Sequence, residues 1–161
     1  MRSGERGFTY LLLLFAVAAM GLTLAGAGQV WQTVAQRERE AELLFVGHQF
    51  RLAIASYHDN TPGGTRQYPV ALDELVEDRR FPTPRRHLRR VYRDPMTAGT
   101  DWGLVKVGGR IVAIHSRSPE AALRTVFAPR DAALEGALRY DQWVFGHEAA
   151  PVPSRAVGGA P

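Results

Sequence analysis

The sequence predicts an α+β fold in which one long N-terminal helix, transmembrane over its first half, packs on a small antiparallel β-sheet. Three observations carry that prediction. Residues 8–61 contain no proline, the residue a helix interior tolerates least. The back of that stretch carries an apolar stripe at three- and four-residue spacing, which marks a helix with one buried face. Further on, two apolar runs flank Gly108-Gly109, a pair suited to the positive φ angles of a tight hairpin turn.

Composition narrows the function. The 161 residues include 20 basic ones, of which Lys106 is the one lysine, and 16 acidic ones, for a net charge of +4. The arginines are dispersed among the acids, which is a poor electrostatic footprint for nucleic acid, so no nucleic-acid partner is expected. The chain has no cysteine. That excludes disulfides, thiolate metal sites, thiol nucleophiles and lipid attachment through cysteine, and it leaves stability to packing. Once residues 1–30 are set aside, the remainder is long enough for one small domain.

Residues 8–30 contain no charged side chain. As a helix, roughly 23 residues rising about 1.5 Å each span about 34 Å, slightly more than the hydrocarbon core of a bilayer. Arg2 and Arg6 precede the run, favouring a cytoplasmic N-terminus and a translocated remainder. Three readings are open. A secretory signal would be removed after Ala27, at the small-x-small sequence Ala25-Gly26-Ala27. A plain anchor would simply stay. A third reading processes the chain at the Gly7-Phe8 junction and keeps the helix.

Beyond the span, Trp31 suits a membrane-interface belt. Leu43, Val46, Phe50, Ala53 and Tyr57 then form the apolar stripe, widened by Leu44 and Ile54. Arg37, Glu38, Arg39, Glu40 and Glu42 lie ahead of it and are expected in solvent. Glu38 and Glu42 repel at i,i+4, so the helix depends on something covering its apolar face. Gly21, Gly26 and Gly28 are its expected weak points, each costing about 1 kcal/mol relative to alanine, and small residues also let membrane helices pack closely. The breaker cluster at residues 59–64 ends the helix. Pro69 is expected to start a short helix through about residue 77, with Leu72, Leu75 and Val76 inward, followed by a loop over 78–84. Residues 102–116 read as the hairpin. Residues 139–145 read as a third strand or a loop anchor, with Tyr140, Trp143 and Phe145 in the core. Residues 118–138 are ambiguous, because Pro119 and Pro129 interrupt two helix-prone runs. The Pro- and Gly-rich tail at 149–161 is expected to be disordered.

Gly7-Phe8-Thr9 before an apolar run, the YPVALDEL segment at 68–75 and the YRDPMTAGTDWGLV segment at 92–105 together resemble type II secretion pseudopilins and type IV pilins. The resemblance covers residues 4–116. It implies a pilin-like fold in four parts: a leader at 1–7, a transmembrane helix at 8–30, a periplasmic domain at 31–148 and the tail. It implies cleavage after Gly7 by a prepilin peptidase, methylation of Phe8, and a single-pass inner-membrane protein that assembles into a short pseudopilus. The partners implied are that peptidase, other pseudopilins, an inner-membrane assembly platform and membrane lipid. The family usually has glutamate at the fifth mature position, where this chain has Leu12. A buried glutamate persists in hydrocarbon only with a partner. Leu12 removes that pairing and points to a minor or tip-proximal subunit.

No catalytic set stands out, so the chain is not expected to be an enzyme, and no Gly-rich phosphate loop or other cofactor motif is present in the sequence. A hydrolase-like enzyme on a single anchor is the rival to be kept, with Ser56, His58 and Asp59 as its drawable triad. Of the five histidines, His48, His58, His87, His115 and His147, the first two sit about 280° apart on the helix and share no face. His58-Asp59 could bind a metal or act as a base, against the commoner reading as a helix-end cation beside an acid. Major pseudopilins carry a calcium site near the sheet. Asp94, Asp101, Asp131 and Asp141 are candidate oxygen ligands, but their spacing matches no calcium loop, and no metal site is assigned. Arg85, Arg86, Arg89 and Arg90 would line one face if helical, a basic face that suits an acidic neighbour or phosphate head groups.

Overall fold

The computed structural model describes residues 5–147, without the side chains of 5–7 and 21–30. The fold is α+β. Its elements are α1 (Glu5–Asp59), α2 (Asp73–Val76), β1 (Gly103–Val107), β2 (Arg110–His115) and β3 (Val144–Gly146), with 3-10 turns at Pro129–Leu134 and Tyr140–Gln142. The three strands form one antiparallel sheet in the order β1-β2-β3. Residues 1–4 of the expected leader (1–7) and all of the expected tail (149–161) lie outside the described residues. Contacts divide the chain into two units, one running through Glu38 and the other starting at Arg39.

In the first unit α1 presents apolar side chains on every side. Phe8, Leu11, Leu12, Phe15 and Val17 are all exposed, as are Tyr10, Leu13, Leu14 and Met20. Among the described residues of that unit, nothing sorts them into a buried and a polar face.

In the second unit the expected stripe is the core. Leu43, Val46, Phe50, Ala53, Ile54 and Tyr57 are buried with Ile111 and Ile114 of β2 and Phe145 of β3. Phe50 meets Trp102 edge-on at 5.3 Å between ring centroids, an arrangement aromatic quadrupoles favour. Trp143 meets Phe127 and Tyr140 the same way at 5.2 and 5.3 Å. The hairpin forms as expected, with Gly108 and Gly109 at φ 58° and 78°. A register shift between Val105 and Lys106 interrupts its ladder. Tyr140, Trp143 and Phe145 are fully buried, and the segment is both a turn and a strand.

Three readings are corrected, and one residue is added. The short helix begins at Asp73, not Pro69. The Pro69 carbonyl instead accepts from Ile111 N–H at 2.7 Å, and the Tyr68 carbonyl accepts from the Arg110 guanidinium at 2.7 Å. Those bonds tie 68–69 to the start of β2. Glu40 is not solvated but 2 % exposed. Its Oε1 accepts from Leu123 N–H, Arg124 N–H and Tyr140 O–H at 2.6, 3.1 and 3.0 Å. Residues 85–90 are not helical. Arg85 exchanges backbone bonds with Asp78 as an antiparallel bridge, and the His87 and Leu88 N–H groups both donate to the Leu75 carbonyl. One glycine is added to those the sequence singled out: Gly47 has a packing role. A Cβ at Gly47 would overlap the Phe145 ring, so the missing side chain lets β3 pack against α1.

Residues 118–138 hold no α-helix. Ala121 bridges Arg139, Ala122 N–H donates to the Leu138 carbonyl at 2.9 Å, and the Pro129–Leu134 turn buries Leu134.

Candidate functional site

The residues singled out in the sequence fall in several places. Gly7 and Phe8 both lie within α1, and Phe8 is exposed. Leu12 shares a face with Phe8, Leu11, Phe15, Ala16 and Ala19, the i, i+3, i+4 pattern of one helical side. Among the residues whose side chains are described, no helix is long and apolar enough to cross a membrane. The charge-free run continues through 21–30, outside that set.

Arg85, Arg86, Arg89 and Arg90 are all exposed but do not make one helical row. Arg85 donates to Asn60 Oδ1 at 3.0 Å and lies over Phe81, while Arg90 lies over Tyr92. The four aspartates weighed for calcium do not converge. Asp94 is buried, accepting from Ser116 O–H at 2.7 Å and Met96 N–H at 2.9 Å. Asp101 pairs with Arg117, Asp131 with Arg51 and Asp141 with Arg139. Each therefore fixes a different loop.

The densest polar site was not legible in the sequence. It centres on Asp78, 1 % exposed. Arg80 donates to both its oxygens, from Nε at 2.9 and 3.1 Å and from a terminal nitrogen at 2.7 Å, and its backbone N–H adds a fourth bond at 3.0 Å. The same guanidinium donates to the Tyr57 carbonyl at 2.8 Å and lies 3.5 Å over the Tyr57 ring. It thereby satisfies one of the orphan carbonyls that end α1. On the other side His87 Nε2 lies 3.1 Å from Asp78 Oδ2, and His87 Nδ1 lies 2.8 Å from Ser56 Oγ. Burial tends to push the Asp78 carboxyl up, but hydrogen bonds from Arg80 and His87 outweigh it and hold the group at about 2. Burial pushes the His87 imidazole below its ordinary value, against the pull of Asp78. Tyr57 is pushed up, first by burial and then by its bond to Glu74.

Hydroxyl, imidazole and carboxylate in series are the connectivity of a nucleophile triad, here through Ser56, His87 and Asp78 rather than the drawable Ser56, His58 and Asp59. The chemistry differs. Asp78 is already engaged by a bidentate arginine, and the His87 side chain is 1 % exposed. The adjoining groove, about 550 Å³, is lined by Tyr57, Asp73, Glu74, Glu77, Asp78, Arg79 and Arg80, without Ser56 or His87. What the arrangement does is clamp the end of α1 to the α2 loop and to residues 85–88. The RR pair after Asp78 was its only sequence signal.

A second cluster joins residues far apart in sequence. His58 Nδ1 lies 3.1 Å from Asp59 Oδ1, and His147 Nε2 lies 3.8 Å from that same oxygen. His58 also stacks on Tyr68, 4.3 Å between ring centroids. The Asp59 carboxyl is held below its ordinary value, chiefly by its hydrogen bond with His58. No protein-family model, curated protein or solved structure matches the chain.

Proposed function

We propose that this protein is a structural, pseudopilin-like subunit of a type II secretion or related type IV filament system, in a minor or tip-proximal place. The observation that supports this reading is the first half of α1. Residues 8–30 carry no charge, and the apolar side chains at 8–20 are exposed all round. A helix that is apolar on every side belongs in apolar surroundings, either lipid or a bundle of like helices. The α+β domain at its other end is compatible with a pilin-like head. In this reading the chain waits in the inner membrane with residues 31–148 in the periplasm. Prepilin peptidase cuts after Gly7 and methylates Phe8. The subunit then joins other pseudopilins at the assembly platform, its helix leaving lipid for the filament core.

N-terminal sequencing and intact mass of the mature protein test this. A chain starting at N-methylated Phe8 is expected; a start at Gly28 would mean release by signal peptidase as a secreted or periplasmic binding domain. Leu12→Glu is expected to change how the subunit assembles. Crosslinking that finds the wild-type chain repeated along whole filaments would refute the tip-proximal placement.

A further inference from the structure

We infer that His58, Asp59 and His147 form a binding site for a divalent transition metal of the zinc class. One ligand atom from each of the three lies within 4.8 Å of the other two. A tetrahedral ion with bonds of about 2.0–2.1 Å keeps its ligand atoms about 3.3 Å apart. The separations of 3.1 and 3.8 Å around Asp59 Oδ1 need only small side-chain rotations to match it.

The ligand chemistry selects the metal. Two imidazoles and one carboxylate suit zinc, and also cobalt and nickel, whereas calcium and magnesium want oxygen alone. Three protein ligands leave a fourth position for water or for a group from a partner. The site also has an orienting shell. Tyr68 stacks on the His58 ring and limits its rotation, as outer contacts do for metal-bound histidines. The side chains of His58 and His147 are mostly covered while that of Asp59 is half exposed, so an ion can enter from solvent.

The placement gives the site its consequence. His58 and Asp59 close α1, and His147 directly follows β3. A metal there ties the end of the helix to the last strand of the sheet, where the chain holds no disulfide. The ion binds the folded arrangement and not the unfolded chain, so its binding free energy adds to the stability of the fold.

The test uses the untagged full-length chain in detergent. Cobalt(II) is titrated while visible absorption is recorded, and zinc is then added in competition. Thermal unfolding is followed with zinc, calcium or magnesium and after chelator treatment. The wild type is expected to develop the intense band of tetrahedral cobalt at one equivalent, to lose it to zinc, and to melt higher with zinc alone. His147→Gln and Asp59→Asn, checked for folding by circular dichroism, should each weaken cobalt binding by more than the roughly 10–100-fold typical of losing an outer-shell partner. Absence of the band in a folded wild type, binding by both variants equal to wild type, or stabilisation by calcium but not zinc would each overturn the inference.

Discussion

Phe15 and Phe50 sit on the same helix, yet one is 81 % exposed and the other fully buried. The contrast extends to their neighbourhoods. Around Phe15 every side of α1 is apolar. In the half that holds Phe50 one stripe is apolar and covered by the sheet, and the buried helix acid Glu40 has three donors. Hydrophobic stabilisation follows area removed from water, so the second half of α1 is held by its own chain, while among the described residues the side chains at 8–20 are left uncovered. The first half depends on its surroundings. The helix is thus two physical objects in one element, and its halves should answer differently to the same kind of change.

The largest difference is expected between Phe50→Ala and Phe15→Ala. The first should cost about 3–5 kcal/mol, the usual result of emptying a buried aromatic site. The second should stay within about 0.5 kcal/mol. Urea unfolding of the full chain, followed by the fluorescence of buried Trp102 and Trp143, measures both. Equal losses would break the contrast. Glu40→Ala comes next, at about 2–4 kcal/mol, because it strands several buried donors at about 1–3 kcal/mol for each unsatisfied group before relaxation. Glu40→Gln keeps an acceptor and should recover much of that, while Glu38→Ala, on the exposed side, should change little. Gly47→Ala is expected to destabilise by about 1–3 kcal/mol through overpacking, even though alanine is the better helix former by about 1 kcal/mol. Adding Phe145→Leu should return part of the loss, and a double-mutant cycle reads the coupling.

The smallest effect is with pH. His87 is held below its ordinary 6.5, so as pH falls below about that value the unfolded chain takes up the proton first and stability drops. Asp78 works in a lower window. Its contribution is complete above the unfolded value of 3.8 and is lost as pH falls through about 2. Urea midpoints measured from neutral pH downward should fall in those two steps, and Asp78→Asn should abolish the lower one.

What could be read from the sequence was whatever depends on near neighbours. The stripe from Leu43 to Tyr57, the Gly108-Gly109 turn and the buried Tyr140, Trp143 and Phe145 all announce themselves within a few residues. What could not be read depends on partners distant in sequence. Glu40 looks like any acid in a charged run until Leu123, Arg124 and Tyr140 are beside it. Arg85 to Arg90 carry helical spacing, but the Leu75 carbonyl claims the backbone N–H groups of His87 and Leu88. Nothing near Gly47 in the sequence marks it; Phe145, which fills the space above it, is 98 residues away. His58-Asp59 was visible as a pair, while His147 joined it only through the path of β3.

Glu40 has a further effect on the far side of its helix. An α-helix turns about 100° and rises about 1.5 Å with each residue, so a slip of one residue would carry Glu40 away from all three donors at once. The carboxylate therefore works as a phase lock on the second half of α1. It fixes the bearing of Phe45 and Leu52, which are 59 % and 52 % exposed and are seven residues, about two turns, apart. Buried polar bonds on one side of the rod decide the compass direction in which its uncovered apolar pair points.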